Sequence, residues 1–302
     1  DTFKDPNQFK IFEYACQIAS ENGDPYFIFD RDEITLSACC RLRTTIEDDF
    51  MIKHPESMRF CGFQNVTINL PQAAYRAGKG NMDKLFYEIG KAMDIAVKAH
   101  LQKKEFIKTL MSGPQMPLWE IGKNAADGRP YVDLEKATYI VGIIGLNECL
   151  QYMTGHELHD NEDMLRLGLK IISYMYVKVK EDGKKHGLKF SLEESPAESA
   201  SRRLAKIDVR LFPEARNIVK GSLENDDYYY TNSIHLRPDA EVDMITRIKL
   251  QSKFHTMIES GAIIHAFIGE ERPDASSIMN RVRKTFENTQ AAQLTISPEF
   301  TV

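Results

Sequence analysis

The feature that most limits the fold is an unbroken apolar segment at residues 139–146. A strand of this composition is typical of one buried on both faces, as in a parallel sheet covered by helices. Strand patterns and long amphipathic helix patterns alternate at least four times along the chain. This alternation favours a parallel α/β sheet or barrel. Ligands bind at the carboxyl ends of the strands in such folds, so we expect functional residues there.

Composition narrows the class of protein. The chain has 302 residues, enough for one large α/β domain or two smaller ones. Its net charge of −5 argues against a broad nucleic-acid-binding surface but allows a pocket for a phosphate-bearing small molecule. No run of about 18 apolar residues predicts a membrane span. Five cysteines without a framework spacing suit a reducing compartment, so we expect a cytoplasmic protein. Because the chain starts at Asp1 without a signal segment, we expect it to be part of a longer or processed chain.

Two polar segments follow predicted strands. Glu148 comes directly after the apolar strand, where burial would raise its pKa and suit it for proton transfer. A helix-capping carboxylate is the alternative. In residues 195–199, Ser195 followed by Pro196 resembles a helix N-cap, and the helix amino end could hold a phosphate. Glu198 is then either a base or a favourable charge in the first helical turn.

The adjacent cysteines Cys39 and Cys40 stand in a polar, arginine-rich segment. Neighbouring cysteines rarely form a disulfide with each other, and zinc sites need spaced pairs. The pair is therefore either a reactive thiol on a loop or two small hydrophobic residues at the end of a strand.

A strand with one polar face follows at residues 65–70. Asn65, Thr67 and Asn69 alternate with apolar residues, which is the period of a strand. Such an amide-rich face either lines a cleft, where a ligand supplies hydrogen-bond partners, or belongs to a half-exposed strand.

Common nucleotide and metal motifs are absent from the sequence. It contains no phosphate-binding G-x-x-x-x-G-K-[ST] motif and no G-x-G-x-x-G after a strand. His156 and His159, with Glu157 between them, come closest to a metal pattern, but their polar surroundings favour a solvated loop. We therefore predict no metal site in this chain.

Taken together, several segments resemble the catalytic subunit of anaerobic (class III, glycyl radical) ribonucleoside-triphosphate reductase. They are the C-C-R segment at 37–45, N-V-T-I-N-L-P at 65–71, G-L-N-E at 145–148, S-P-A-E-S at 195–199, Y-T-N-S at 230–233, G-A-I-I-H at 261–265 and L-T-I-S-P-E-F at 294–300. The resemblance implies an α/β fold that is part of a ten-stranded barrel with a central finger loop. The finger loop would span about 33–60 and the carboxyl-terminal half-barrel about 61–302.

The resemblance also implies roles for individual residues. Cys40 would carry a thiyl radical at the tip of the finger loop, with Cys39 as the fallback, and would abstract the 3′ hydrogen of a ribonucleoside triphosphate. Loss of the 2′ hydroxyl needs proton transfer, for which Glu198 is the first choice and Glu148 the second. The substrate-binding residues would be Asn65, Asn69, Ser195, Ala197 and Ser199.

Other parts of the machinery are expected outside this chain. The resemblance implies a glycyl radical and a structural zinc in a carboxyl tail, together with a first half-barrel and a regulatory cone, none of which lies in these residues. Cys61 could be a second redox cysteine, and the final reductant would be formate or a thioredoxin-like protein. Expected partners are a radical SAM activating enzyme, dNTP and ATP effectors and a second copy in a homodimer. By itself this piece should be inactive.

Two alternatives stay open. Pyruvate formate-lyase, another glycyl radical enzyme, also has an adjacent cysteine pair but acts on an acyl substrate. The polar strand and the 195–199 segment argue against it. The second alternative is a non-catalytic fragment that binds nucleotide or mediates dimerisation.

Overall fold

Parallel strands form the centre of the molecule. The computed structural model describes residues 2–31, 35–37, 41–46, 49–267, 269 and 273–297, except for the side chain of Glu198. The strands are β1 Phe27–Ile28, β2 Thr35–Ser37, β3 Arg43–Thr45, β4 Gly62–Asn69, β5 Thr138–Ile144, β6 Lys189–Glu194, β7 Lys220–Ser222, β8 Asp227–Tyr229, β9 Ile264–Phe267 and β10 Gln293–Ser297. The helices are α1 Pro6–Asn22, α2 Asp49–Lys53, α3 Leu70–Ala77, α4 Met82–Leu110, α5 Trp119–Gly122, α6 Leu146–Thr154, α7 Glu162–His186, α8 Glu198–Leu211, α9 Met244–His255 and α10 Ala275–Asn288.

The main strands join into one continuous wall. β4, β5 and β6 are parallel in that order, and β10 pairs in parallel with β9 and antiparallel with β1. Main-chain hydrogen bonds link β6 to the segment just before β9: Ser260 N donates to Leu192 O at 3.0 Å, and Glu194 N donates to Gly261 O at 2.9 Å. The predicted parallel α/β arrangement is therefore confirmed.

Apolar side chains pack helices onto the outer face of this wall. The larger core places side chains of β4–β6, such as Ile68, Val141 and Phe190, against α3, α4, α6 and α7. A second core places α1 and α10 against β9 and β10. Every residue of β5 is buried, as its composition predicts. Among the described residues, no helix has the length and apolar character needed to cross a membrane.

The hairpin of β2 and β3 lies against the inner side of the wall. Arg43 N donates to Ser260 O at 2.8 Å, and the hydroxyls of Thr44 and Thr138 are 3.2 Å apart. Gly261 permits this approach: a Cβ atom there would stand 1.9 Å from Arg41 O, and its φ of +138° is unfavourable for other residues. The hairpin falls within the predicted finger loop, whose limits stay a prediction.

Candidate active site

A polar cluster forms on the inner face of β4 and β6. Asn65 Nδ2 donates a hydrogen bond to the Glu193 carboxylate. The Ser195 hydroxyl donates to Asn65 Oδ1 at 3.3 Å and lies 3.0 Å from the Thr67 hydroxyl. The two strands are not neighbours, since β5 runs between them. The cluster therefore spans from β4 to β6 across the carboxyl end of β5.

Gly142 makes this reach possible. It lies on β5, with Thr67 as its neighbour on β4 and Glu193 as its neighbour on β6. A Cβ atom at this position would be 1.8 Å from Ser195 Oγ and 2.2 Å from Asn65 Oδ1. Any side chain there would separate the two polar groups, so the site depends on glycine.

Glu193 is the titratable member of the cluster. It is 6% exposed, and burial raises its pKa to about 7, with a smaller contribution from the neighbouring Glu194 carboxylate. The hydrogen bond from Asn65 and the charge of Arg41 oppose this rise. A carboxyl group that titrates near neutral pH can both accept and return a proton during turnover.

Glu193 was missed in the sequence, although a signal was available. In β6, Ser191 and Glu193 alternate with the apolar Phe190 and Leu192, so the polar residues share one face. That face continues to Ser195. Reading the alternation through the end of the strand would have selected Glu193 for the inner face.

The predicted N-cap at Ser195 is wrong. The helix α8 begins at Glu198 and is preceded by Ala197, which has a left-handed φ of +40° and provides no side-chain cap. Ser195 instead points inward to Asn65 and Thr67, because it continues the inner face of β6. The first-turn N–H groups of a helix have no intrahelical acceptor, so an uncapped amino end suits an anion. Ser199, in that first turn, is exposed.

A cavity of about 230 Å³ adjoins the amino end of α8. Its lining includes Arg41, Asn232, Arg247 and the rings of Tyr229 and His265. Asn232 Nδ2 donates to Pro196 O at 2.7 Å, while its Oδ1 is buried without a hydrogen-bond partner in the structure. The lining thus combines two cationic residues with amide and aromatic residues.

Arg41 connects the site to the β2–β3 hairpin, which we call the finger hairpin because it falls within the predicted finger loop. Arg41 is buried, and its guanidinium Nη1 lies 3.3 Å from Glu194 O and 3.4 Å from Ser195 O. The main-chain carbonyl of Arg41 accepts a hydrogen bond from Gln293 Nε2 at 3.0 Å. Cys39 and Cys40, which precede Arg41 in the sequence, lie outside the described residues. The residue after the cysteine pair is therefore fixed at the carboxyl end of β6.

Glu148 has a different setting from Glu193. It is fully buried in the first turn of α6 and accepts hydrogen bonds from Thr231 N at 3.1 Å and from the Thr231 hydroxyl. Burial raises its pKa. Both oxygens of this carboxyl group thus hold the 231–233 segment against the end of β5.

The other predicted site residues are dispersed. The Asn69 side chain accepts from Gln72 N at 3.2 Å as the N-cap of α3 and donates to Asp208 at 2.8 Å. Cys61 precedes β4 at its amino end, opposite the polar cluster, and its pKa is raised by burial and by Asp133. The side chain of Glu198 lies outside the description, so its role stays a prediction.

The histidine-rich segment 156–160 is held by ion pairs. Glu157 accepts from Lys220 Nζ at 2.7 Å and from Arg237 Nε at 3.0 Å. Within the described ranges, no group of three His, Cys, Asp or Glu side chains is arranged to hold a metal ion.

The fold is a barrel-type α/β domain with a polar cluster on its inner face. The structure is similar to the B12-independent glycerol dehydratase of Clostridium butyricum, with a TM-score of 0.62, 10% identity, and coverage of 97% of this chain and 45% of that one. It is also similar to the anaerobic ribonucleotide reductase of Thermotoga maritima in complex with dATP and CTP, with a TM-score of 0.70, 19% identity and coverage of 96% and 45%. The predicted fold, part of an α/β barrel of the glycyl radical enzyme type, is confirmed.

The family model for anaerobic ribonucleoside-triphosphate reductase matches residues 1–302. The chain therefore belongs to the anaerobic ribonucleoside-triphosphate reductase family. The reductase of Enterobacteria phage T4 is 23% identical over 218 residues, which cover 69% of this chain and 33% of the phage protein. The chain thus spans about a third of this relative's length and less than half of the matched structures.

Proposed function

We propose that this chain supplies the substrate-facing half-barrel of an enzyme that reduces ribonucleoside triphosphates to deoxyribonucleoside triphosphates. The observation that carries the proposal is the Asn65–Glu193–Ser195 cluster, built across Gly142 beside the residue that follows the cysteine pair. An inward carboxyl group, an amide and hydroxyls suit a substrate that must lose a hydroxyl group. Family membership over all 302 residues supports the same chemistry.

Cys40 is the residue we propose as the radical carrier. Its thiyl sulfur would take the 3′ hydrogen atom of the ribose, which restores the S–H bond and leaves a carbon radical at C3′. Arg41, which follows it, is buried and held by the carbonyls of Glu194 and Ser195. Such anchoring suits a reactive group that must meet its substrate in a fixed geometry.

Glu193 is the residue we propose for proton transfer. Loss of the 2′ hydroxyl as water requires a proton at the 2′ oxygen, and the neighbouring 3′ hydroxyl loses a proton as its carbonyl forms. The Glu193 carboxylate can accept the 3′ proton and pass it to the departing 2′ oxygen, because its pKa of about 7 makes the base available at neutral pH. Asn65 orients the carboxylate through its amide hydrogen. Glu198, at the amino end of α8, remains a second candidate.

The triphosphate would bind at the amino end of α8. Ala197 and Ser199 flank this end, and the adjacent cavity brings Arg41, Asn232 and Arg247 alongside it. Main-chain N–H groups and cationic side chains recognise phosphate oxygens. The similarity to the Thermotoga maritima enzyme in complex with dATP and CTP supports a nucleotide ligand.

The remaining components would come from outside these residues. We propose that the glycyl radical and the structural zinc belong to a carboxyl tail, and that the glycyl radical supplies the oxidising equivalent to Cys40. A radical SAM activating enzyme, nucleotide effectors, a second subunit and formate or a thioredoxin-like reductant complete the scheme. Cys61 can serve the reductant only if it is brought toward the site from the amino end of β4.

The test uses the full-length protein, activated anaerobically with its activating enzyme and assayed with a radiolabelled ribonucleoside triphosphate. Cys40→Ala should abolish deoxynucleotide formation while the glycyl radical still appears by electron paramagnetic resonance. Cys16→Ala, a change of a buried cysteine in α1, is the matched control and should retain turnover. Normal turnover by Cys40→Ala would overturn the assignment, and loss confined to Cys39→Ala would move it to the neighbouring thiol.

A further inference from the structure

Glu194 is buried, charged and outside the polar cluster. Along β6 the side chains alternate, so Glu193 and Ser195 face inward while Glu194 faces the opposite side. Its side chain is 0% exposed. A buried carboxylate is costly unless its surroundings compensate it, so the contacts of Glu194 must have a structural reason.

Three separate parts of the chain converge on the Glu194 carboxylate. Ile263 N, just before β9, donates to Oε2 at 2.9 Å. His235 Nε2, from the segment after β8, lies 3.3 Å from Oε2. His255 Nε2, at the end of α9, lies 3.5 Å from Oε1. This carboxylate therefore joins β6 to β9, to α9 and to the segment that also carries Thr231 and Asn232.

Further contacts fix the orientation of both histidines. Ala292 N donates to His255 Nδ1 at 2.9 Å, so the ring proton of a neutral His255 is on Nε2, facing Glu194. His235 Nδ1 lies 3.0 Å from Gln251 Oε1. Burial alone would raise the pKa of Glu194, but His235, His255 and Arg41 hold it at about 2. These surroundings therefore favour the carboxylate form of Glu194.

The main chain of Glu194 is equally tied to the site. Its N–H donates to Gly261 O at 2.9 Å, and its carbonyl lies 3.3 Å from Arg41 Nη1. The residues on either side of it, Glu193 and Ser195, both contact Asn65. Any shift of residue 194 would therefore move the proposed proton acceptor and the anchor of the finger hairpin together.

We propose that Glu194 is a positioning residue: the buried Glu194–His235–His255 group fixes the carboxyl end of β6, so that Glu193 and Ser195 meet Asn65 and Arg41 in working geometry. This inference rests on the proposed function, since it assigns Glu194 a role in the same reaction without contact to the substrate.

The test compares Glu194→Gln with wild type in the activated full-length enzyme. The substitution keeps the size and removes the charge, and its amide would present N–H groups to a cluster of donors. We expect kcat to fall about 10- to 100-fold, because displacement of a catalytic group by about 1 Å costs that much. We expect the KM for the ribonucleotide to change less than about threefold, since Glu194 does not touch the substrate.

The fall in kcat without a matching change in KM separates positioning from mere stabilisation, and the pH profile tests whether the Glu194 charge acts on Glu193. Two charged groups act on Glu193: Arg41, from the finger hairpin, lowers its pKa, and the adjacent Glu194, whose side chain lies on the opposite face of β6, raises it; Asn65 is its hydrogen-bond partner. Because the Glu194 charge raises the pKa of Glu193, its removal should shift the acidic limb of kcat/KM to lower pH. Glu157→Gln, which alters a carboxylate held by Lys220 and Arg237 elsewhere, is the matched control and should leave the limb unchanged.

The outcomes distinguish this proposal from the proposed function. If wild type makes no deoxynucleotide in the assay, the proposed function fails. If wild type is active and folded Glu194→Gln keeps full kcat, the positioning role is overturned, whether or not the limb shifts. Should Glu194→Gln not fold, His255→Gln, which keeps an N–H donor and is not in the lining of the cavity beside α8, replaces it with a smaller expected loss of kcat. Full kcat in this second variant would overturn the proposal. Failure of both variants to fold would do the same, because the Glu194–His235–His255 group would then only stabilise the fold.

Discussion

Glu148 and Glu193 are two buried carboxyl groups at the ends of adjacent strands, and their surroundings differ. Burial raises the pKa of both. Glu148 has its oxygens occupied by the N–H and the hydroxyl of a single residue, Thr231. Glu193 points to the inner face, where Asn65 is its hydrogen-bond partner, and keeps 6% exposure. Burial alone therefore does not identify the proton-transfer group. What distinguishes Glu193 is that its carboxyl group faces the inner side of the sheet, where a substrate could reach it.

Glu193→Gln should have the largest effect of the substitutions that test this comparison. The amide cannot accept a proton, so we expect kcat to fall about 10²- to 10⁴-fold, the usual contribution of general acid–base catalysis. In wild type, kcat/KM should rise with pH through about 7, because the carboxylate is the active form. Steady-state kinetics of the activated full-length enzyme between pH 5.5 and 8.5, a range chosen as roughly 1.5 units either side of that pKa, would measure both.

Nucleotide binding is the control measurement for Glu193→Gln. Nucleotide affinity, measured by equilibrium dialysis, should stay within about threefold of wild type, because Glu193 acts on the ribose rather than on the phosphates. Unchanged turnover would remove Glu193 from the mechanism and return the role to Glu198.

Gly142→Ala should have the next largest effect. The added methyl group would overlap Ser195 Oγ and Asn65 Oδ1 and force them apart. We expect kcat to fall by about 10²-fold from the displaced groups and the protein to lose about 1–3 kcal/mol of stability from overpacking. Kinetics and the midpoint of thermal unfolding of the full-length protein would report the two effects.

Gly113→Ala provides the matched control, since a Cβ atom there meets nothing within 4 Å. It should leave both kcat and the unfolding midpoint close to wild type. Equal activity of Gly142→Ala and Gly113→Ala would show that contact across β5 is not needed for turnover.

The sequence predicted the frame of the fold well, because its strongest signals are local. The sequence pattern predicts a last helix at about 275–288 and a last strand at 293–297, and α10 and β10 have these limits. The apolar segment at 139–146 predicts the buried strand that is observed as β5. The alternation of polar and apolar residues predicts a strand through Leu70, whereas helix α3 begins at Leu70, because Asn69 caps it and Pro71 suits its first turn. The pattern also predicts a helix at about 240–260, whereas α9 spans Met244–His255, because the Asp243 side chain caps it at Met244.

The site was harder to predict than the frame, because its contacts join distant parts of the chain. Asn65 and Glu193 are 128 positions apart, and Gly142 matters only because of what lies on either side of it. Ser195 resembled a helix cap locally, but an acceptor on β4 determined its direction. Motifs indicated which segments meet; strand alternation and pairing were needed to tell which side chains face each other.

Glu148→Gln should have the smallest effect on turnover and tests the other half of the comparison. We expect kcat within about threefold of wild type, because this group holds Thr231 rather than the substrate, and a stability loss of about 1–2 kcal/mol from the altered hydrogen bonds.

Burial raises the pKa of Glu148 in the folded protein above the ordinary 4.5, so the folded wild type keeps a proton that the unfolded chain releases. The stability of wild type therefore falls as pH rises above about 4.5, through the raised pKa, and this slope is absent from the variant. Calorimetry of both full-length proteins at about pH 5 and pH 8 would measure this. Between the two pH values, the unfolding midpoint of wild type should fall relative to that of Glu148→Gln. A pH-independent difference would mean that Glu148 does not change its ionisation on folding, and a loss of kcat as large as that of Glu193→Gln would assign proton transfer to the end of β5 instead.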